Sequence, residues 1–288
     1  ETNVSYYYSI FYLDTDTNWV LSSQVGFTAL DYKNGMIQWI EETISYTRSL
    51  NSNYEIILAG DYLDVLINDE GDDVVSSSEV GSFDGVLLNG LNYVTTNIMA
   101  SDSLIENESD LTILHNDRYP ILAVDYCNAC SIVHDDYIMA SRLSSTDNYF
   151  DNINGNAINS TSEISTIYDV NNFIIIHDNV VTNAISEIAA LNYDLIIINP
   201  FSSIPNSTID DMYTKENITS LKVKSDGSTR RLVYAYIDIG YANSNYYYWD
   251  SDWDIEYPVW IDDDYEYTKY QTKYWRSTWK AYIINIIN

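Results

Sequence analysis

The sequence is poor in several residue types, and each shortage argues against a class of protein. Two cysteines among 288 residues cannot build the dense disulfide framework of a small secreted domain. Thirteen basic residues against 43 acidic ones, a net charge of −30, argue against the clustered positive surface that nucleic acids and anionic membranes need. No apolar run reaches the roughly 18 residues of a membrane-spanning helix. Four prolines and ten glycines leave no linker-like run, so residues 1–288 are predicted to form one domain.

Motifs for cofactors and metals are also missing. No Gly-rich phosphate loop, nucleophile elbow or HExxH helix occurs, and the three histidines lack ligand spacing. Asp14-Thr-Asp16-Thr-Asn18 begins like a calcium loop, but Trp19 replaces the glycine and Val25 the final glutamate of that motif. The acidic runs 69–73 and 262–264 are expected to be solvated, with weak calcium binding as the alternative. We therefore predict no cofactor and no metal site.

What the chain does contain is an alternation of short apolar runs with amphipathic segments. The runs are continuous rather than alternating, as is typical of strands covered on both faces. The predicted strands are Tyr7–Leu13, Glu55–Ala59, Gly85–Leu88, Ile121–Asp125, Phe173–Ile176, Leu195–Ile198, Leu232–Ile237 and a short eighth at Pro258–Ile261. The predicted helices are Gly35–Leu50, His134–Leu143, Thr182–Leu191, Ile209–Val223 and Ser277–Ile287. This pattern predicts an α/β fold, a (β/α)8 TIM-type barrel, with a doubly wound sheet as the alternative.

The stretch Leu232–Trp279 is acidic and aromatic. Its aromatic side chains include four that stand out, Tyr248, Trp249, Trp253 and Trp260. Tyrosine and tryptophan in such a position either stack on sugar rings or anchor subunit interfaces, where both residue types are enriched. Both interpretations stay open from the sequence alone.

Several motifs resemble those of the endo-α-1,4-polygalactosaminidase-like glycoside hydrolases, family 114, and their extracellular relatives. The segments concerned read Tyr193-Asp-Leu-Ile-Ile-Ile-Asn199, Tyr234-Ala-Tyr-Ile-Asp-Ile-Gly240, Tyr248-Trp249, Pro258-Val-Trp260 and Tyr274-Trp275 with Trp279. Motifs that follow these in the family stand earlier here, at Ile10–Asp14, Phe83–Leu88 and Ile121–Tyr126. The resemblance implies a barrel in permuted order, either a circular permutant or one period of a tandem array. The helical pattern at the end of the chain, followed by a strand at its start, favours the array.

The resemblance also implies where catalytic acids would stand. Glycoside cleavage needs two carboxyl groups, one protonated and one ionised. The positions that match the family's acids hold Tyr241, Asn199 and Asn89, which cannot serve as tuned carboxylic acids. The surviving candidates are Asp14, Asp16, Asp125 and Asp238. The resemblance therefore implies a site that has lost hydrolysis, and an active site built on these aspartates is the alternative.

The remaining features concern the compartment. Cys127-Asn-Ala-Cys130 is expected to be a local disulfide or two buried thiols, while a redox pair or half a zinc site is the alternative. Glycosylation sequons occur at Asn3, Asn107, Asn159, Asn206 and Asn217, although a chain this rich in Asn, Ser and Thr would contain similar numbers by chance. The composition, rich in Tyr, Asn, Ser, Thr and Asp and poor in Lys, is typical of secreted proteins. We therefore expect an extracellular or cell-surface location.

These observations lead to three functional hypotheses. The first is a non-catalytic extracellular structural protein, a repeat or subunit of a filament or surface assembly built on a degenerate glycosidase-like barrel. Its partners would be copies of itself and, as a further partner class, glycans. The second hypothesis is a secreted endo-glycosidase acting on an amino-sugar polymer. The third is a carbohydrate-binding pseudoenzyme, which keeps the cleft without hydrolysis.

Overall fold

The fold is mixed α/β, with short parallel and antiparallel sheets. The computed structural model describes residues 5–13, 19–28, 30–59, 83–89, 93–95, 98–99, 114, 119–126, 138–142, 161–176, 184–200, 213–266 and 268–287. The strands are β1 (Ser5–Leu13), β2 (Trp19–Thr28), β3 (Ile57–Ala59), β4 (Gly85–Asn89), β5 (Tyr93–Thr95), β6 (Ile98–Met99), β7 (Ile121–Tyr126), β8 (Ile138–Arg142), β9 (Phe173–Ile176), β10 (Leu195–Ile198), β11 (Leu232–Ala235), β12 (Tyr241–Asn243), β13 (Ile261–Glu266) and β14 (Lys269–Thr272). The α-helices are α1 (Leu30–Leu50), α2 (Ala184–Ala189), α3 (Lys215–Leu221) and α4 (Ser277–Ile287).

Two parallel sheets form the centre of the described structure. One contains β3, β4, β7 and β8 in that order, and the other contains β11, β10 and β9. Side chains from both sheets meet in one buried cluster, which includes Leu122 and Val124 from β7 and Phe173 and Leu195 from the second sheet. The continuous apolar runs are thus explained, because these strands are covered on both faces.

The predicted (β/α)8 TIM-type barrel is wrong. Among the described residues no hydrogen-bonded ladder joins β8 to β9 or β11 to β3, so the parallel strands form separate sheets of four and three. The remaining described strands pair antiparallel, β1 with β2, β5 with β6, and β12 and β13 with β14. A circularly permuted barrel and a tandem array of such barrels are therefore wrong as well.

Three segments explain why the prediction failed. The predicted strand Tyr7–Leu13 lies within β1, but β1 pairs with β2 in an antiparallel hairpin rather than with a parallel neighbour. The segment predicted as helix His134–Leu143 contains β8, which pairs parallel with β7. The predicted eighth strand ends where β13 begins, and β13 belongs to an antiparallel sheet. Short apolar runs do not distinguish a helix from a strand or set the direction of pairing.

Hydrogen bonds to the side chain of Glu55 connect the segment before β3 to the other parallel sheet. The carboxylate of Glu55, just before β3, accepts hydrogen bonds from the Tyr234 hydroxyl of β11 at 2.5 Å and from the Ile167 amide at 3.1 Å. Burial and the neighbouring Glu55 carboxylate raise the pKa of Tyr234 well above its ordinary value. Tyr234 therefore stays a hydrogen-bond donor, and this contact connects β11 to the segment that leads into β3.

An arginine supports the end of α2. Arg231 is buried, and its guanidinium donates to the carbonyls of Ala189, Leu191 and Val223. Burial lowers the pKa of Arg231 to about 10, so the side chain remains a cation at neutral pH. A positive charge at the carboxyl end of a helix is favourable because the helix dipole is negative there.

The aromatic residues near the C-terminus form a second core. Trp279 of α4 stacks on Trp260 with ring centroids 4.9 Å apart, and Trp253 meets Trp260 edge-on at 5.1 Å. Trp39 of α1 belongs to the same cluster. This core attaches the antiparallel sheet β12-β14-β13 and α4 to the first helix. Among the described helices, none combines the length and apolar character needed to cross a bilayer.

Candidate functional site

The turn after β11 brings a carboxyl group to the carboxyl ends of the parallel strands. The Oδ1 atom of Asp238 accepts hydrogen bonds from the amides of Gly240 at 3.1 Å and Tyr241 at 2.9 Å. The carbonyls of Ile239 and Gly240 accept from later elements, namely from the Trp279 indole at 2.9 Å and from Thr272. Ligands of open α/β sheets bind at this edge, outside the carboxyl ends of the strands. We therefore treat this turn as the first part of a candidate site.

The electrostatics of Asp238 are those of a desolvated acid. Burial raises the pKa of its carboxyl, while the positive charge of Lys269 and the hydrogen bonds from Tyr241 and Gly240 act in the opposite direction. Lys269 lies on β14, opposite Asn243 of β12. The result is a carboxyl that holds its proton more firmly than an exposed aspartate.

This shift predicts the pH dependence of a variant. Because the folded-state pKa of Asp238 lies above the unfolded value near 4, stability falls as pH rises through that window. Asp238→Asn removes the titration but keeps an Oδ1 acceptor for both amides. We expect it to raise the free energy of unfolding at about pH 7, with the gain disappearing at about pH 3. Urea denaturation across this pH range measures the difference.

A matched variant should show the opposite sign. The pKa of Asp226 is lowered, first by the Thr229 hydroxyl and then by the amides of Ser228 and Thr229. Its contribution to stability is therefore present above the unfolded pKa and is lost as pH falls. Asp226→Asn should lower stability near neutral pH, and a gain there would contradict this account of both aspartates.

Asn199 forms the second part of the site. It follows β10 directly, is only 3% exposed, and its Nδ2 donates to the Tyr246 hydroxyl at 2.8 Å. The resemblance implied an acid here, and the structure has a buried amide that donates to a partly buried tyrosine hydroxyl. An amide neither gives nor takes a proton near neutral pH, so this position holds hydrogen bonds in place and does not transfer protons.

Tyr248 connects the two parts. Its hydroxyl accepts a hydrogen bond from the Asn243 amide at 2.9 Å. Burial raises the pKa of Tyr248, and the charges of Tyr246 and Asp238 act in the same direction. The hydroxyl of Tyr248 is therefore within electrostatic reach of both Asp238 and Tyr246, and Tyr246 is the hydrogen-bond partner of Asn199. Together these side chains offer hydroxyl, amide and carboxyl groups at one edge of the fold.

The other residues singled out from the sequence divide by location. Tyr241 begins β12 and is 46% exposed, next to the Asp238 turn. Asn89 and Asp125 lie at the carboxyl ends of the neighbouring strands β4 and β7, in the other parallel sheet. Asp14 and Asp16 lie outside the described residues. The structure thus brings Asp238, Asn199 and Tyr241 to the carboxyl ends of β10 and β11, the same end as that of Asn89 and Asp125 within their own sheet.

The four aromatic residues expected to stack on sugars or to form an interface pack against each other. Trp260 is buried, and Tyr248 contacts Trp279 edge-on at 5.8 Å. Trp249 stacks on Tyr270 with centroids 4.6 Å apart and meets Trp253 at 5.4 Å. Trp260 is part of the C-terminal core, and the other three rings are partly buried and pack against it. Sugar stacking and an interface role for these rings stay predictions from the sequence.

Most of the predicted glycosylation sites and both cysteines lie in parts of the chain that the structure does not describe, so those predictions are not tested. Asn3, Asn107, Asn159, Asn206, Cys127 and Cys130 lie outside the described residues. Asn217 lies on α3, where its Oδ1 accepts from the Thr214 amide and hydroxyl, each at 3.0 Å. Among the described residues, no group of three or more His, Cys, Asp or Glu side chains is arranged to hold a metal.

Sequence reasoning missed two contributors to the site. Tyr246 was treated only as one of the aromatic residues of the stretch Leu232–Trp279, and Lys269 was not considered. The signal for Lys269 was available, because no Lys or Arg occurs from residue 232 to residue 268 and Lys269 ends that interval. Tyr246 had no comparable signal, since its partner Asn199 is 47 residues away.

Comparison with known proteins gives a match over part of the chain. No family model matches the chain. The chain is similar to the uncharacterized protein MJ1477 of Methanocaldococcus jannaschii, with 33% identity over 106 residues. The match covers 36% of this chain and 28% of the archaeal protein, so this chain spans little more than a quarter of that relative. The similarity is one of sequence over that region, and it assigns no activity.

Proposed function

We propose that this chain is a carbohydrate-binding protein that does not cleave its ligand. The observation that carries the proposal is the hydrogen bond from buried Asn199 to partly buried Tyr246 at the carboxyl end of β10. The pair stands at a position that the resemblance to family 114 hydrolases assigns to an acid. It holds a fixed hydrogen bond there, in place of a group that exchanges protons.

The carboxyl groups described at the ends of β10 and β11 support binding over hydrolysis. Cleavage needs two carboxyl groups at about 5–5.5 Å in retaining enzymes or about 6.5–9.5 Å in inverting ones. Among the described side chains at the ends of β10 and β11, Asp238 is the carboxyl, and the positions of Asn199 and Tyr241 carry none. Asp238 is also held by two amides of its own turn, which occupy one of its oxygens.

The chemistry of the site fits a neutral, hydroxyl-rich ligand. Amide, phenol and carboxyl groups donate to and accept from sugar hydroxyls. Tyr241 adds a half-exposed aromatic ring beside these groups, and such a ring stacks on the apolar face of a pyranose. The resemblance to hydrolases of amino-sugar polymers makes hexosamine oligosaccharides the first ligands to test.

Tyr241→Ala is the variant that tests the site. We expect wild-type protein to bind hexosamine oligosaccharides in calorimetric titrations, and Tyr241→Ala to weaken binding about tenfold, or about 1.4 kcal/mol. Tyr168→Ala is the matched control, because Tyr168 is also an exposed tyrosine but lies in the 3₁₀ turn Ile167–Asp169, which meets Glu55 at the amino ends of the strands. The control should bind like wild type.

Two outcomes would reject the proposal. If no hexosamine, glucose or galactose oligosaccharide binds the wild-type protein, the binding function fails. If the wild-type protein releases new reducing ends from a polymer and Asp238→Asn stops the release, the protein is an enzyme. That result would favour the endo-glycosidase, which is the second hypothesis drawn from the sequence. A filament or surface-assembly role, self-association and an extracellular location stay predictions from the sequence.

A further inference from the structure

A short exposed apolar segment lies away from the candidate carbohydrate site. We define it as residues 255–259, whose side chains Ile255 and Val259 are 89% and 70% exposed. Tyr257, between them, is half-exposed and contacts Tyr270 with ring centroids 5.4 Å apart. Single exposed apolar residues are ordinary, but three within five residues concentrate exposed apolar surface in one short segment, and such concentration is typical of interaction surfaces.

The exposed apolar segment is fixed by hydrogen bonds in the preceding turn and by the packing of the two tryptophans that flank it. The preceding turn, Ser251–Asp254, begins with Asp250, whose carboxylate accepts from the Asp252 amide at 3.0 Å. The Trp249 indole donates to the Asp254 carboxylate at 2.9 Å. Trp253 and Trp260, which flank the exposed residues, both pack against Tyr282 of α4. A partner therefore meets a preorganised surface and spends little entropy in ordering it.

The exposed apolar segment and the side chain of Tyr241 lie on opposite faces of the antiparallel sheet. Successive side chains of a strand point to opposite faces, and Ala242 of β12 pairs with Tyr270 of β14. Tyr257 contacts Tyr270, so the segment lies on the face of Ala242. Tyr241 lies on the opposite face. The inference is thus independent of the proposed carbohydrate site.

Charge selects the kind of partner. Residues 232–268 contain no Lys, Arg or His, and their acidic residues are Asp238, Asp250, Asp252, Asp254, Glu256, Asp262, Asp263, Asp264 and Glu266. Among these, Asp252, Asp254 and Glu256 alternate with or adjoin the exposed apolar side chains and are themselves exposed. A second copy would bring a chain of net charge −30 against this rim, and like charges placed together at an interface cost several kcal/mol.

We propose that the exposed apolar segment docks a basic amphipathic polypeptide. Apolar side chains of the partner cover Ile255, Tyr257 and Val259, while its Lys and Arg side chains meet the carboxylates of Asp252 and Glu256. This arrangement combines an apolar centre with a charged rim, which is the usual anatomy of a protein interface. The acidic rim also speeds encounter with a cationic partner at low salt.

The test uses two synthetic peptides of equal length, one of Leu and Lys and the other of Leu and Glu at the same positions. We expect the full chain to bind the Lys peptide in fluorescence anisotropy titrations, with affinity falling at least tenfold between 50 and 300 mM salt, because charges separated by a Debye length of about 10 Å are screened. The Glu peptide should not bind. Ile255→Ser and Val259→Ser should each weaken binding about tenfold.

Controls separate this surface from the rest of the chain. Leu50→Ser removes another half-exposed apolar side chain, at the end of α1, and should leave the affinity unchanged. Glu256→Gln should reduce the salt dependence. Equal binding of both peptides, no binding of the Lys peptide, or an unchanged affinity in Ile255→Ser would each overturn the proposal. A wild-type dimer in sedimentation that Ile255→Ser abolishes would overturn it in favour of a second copy as the occupant.

Discussion

Lys224→Met should lower the free energy of unfolding by about 3–5 kcal/mol, because it leaves a buried aspartate without its counter-ion. The Nζ of Lys224 lies 2.7 Å from Oδ1 of Asp194, and the two side chains are 1% and 0% exposed. The same Nζ donates to the Ser162 carbonyl at 2.8 Å. Methionine has similar length but no charge, so Asp194 and a carbonyl lose their donor together.

The rest of the network makes the loss difficult to repair. Oδ2 of Asp194 accepts from the Asn171 amide at 3.1 Å and the Asn172 side chain at 2.9 Å. These bonds orient the carboxylate just before β10, so it cannot turn toward water without breaking them. Urea denaturation measures the effect as a shift of the midpoint.

Two companion variants decide whether the buried charge is the cause. Lys222→Met changes an exposed lysine two residues away and should stay within about 0.5 kcal/mol of wild type. The double variant Asp194→Asn, Lys224→Met removes both charges and should lose less stability than Lys224→Met alone. If the double variant is the less stable protein, the cost comes from packing and not from the unpaired carboxylate.

Trp279→Ala should also cost about 3–5 kcal/mol, by a different mechanism. Trp279 is fully buried, and its ring stacks on Trp260 and meets Tyr248 edge-on. Alanine leaves a cavity in the core that joins α1, α4 and the antiparallel sheet. The same change removes the donor to the Ile239 carbonyl, so oligosaccharide binding at the adjacent turn should weaken as well.

Trp279→Phe separates the cavity from the hydrogen bond. Phenylalanine keeps an aromatic ring in the core but cannot donate to Ile239, so we expect a smaller loss, of about 1–3 kcal/mol. Trp275→Ala is the exposed control and should change stability little. Thermal and urea unfolding followed by near-ultraviolet circular dichroism measure all three. A loss in Trp279→Ala no larger than in Trp275→Ala would contradict the role of this core.

The sequence predicted the elements with continuous apolar runs best. The predicted strands Phe173–Ile176 and Leu195–Ile198 coincide with β9 and β10, and the predicted helix Ser277–Ile287 coincides with α4. Each has a strong local pattern, because burial on both faces or along one face imposes it. Pairing is decided by contacts between distant segments, and for that reason the antiparallel β1–β2 hairpin and the separate sheets were missed.

The site was predicted in part for a similar reason. Asn199, Tyr241 and Asp238 follow strands that the apolar pattern located, so their shared edge followed from strand direction. The contact of Asn199 with Tyr246 depends on the path of the chain between Gly240 and Tyr246, which no periodicity encodes. For the aromatic residues, composition does not tell a ring in a core from a ring on a surface, so the burial of Trp260 was not predicted.

The turn that carries Asp238 has a consequence for how the protein is made. Its two carbonyls, those of Ile239 and Gly240, are held by Trp279 and Thr272, which leave the ribosome at least 30 residues later. Both parallel sheets are already synthesised by then. This turn therefore takes its final shape only after both parallel sheets have been synthesised, and a product that stopped before Thr272 would carry the sheets without these two contacts.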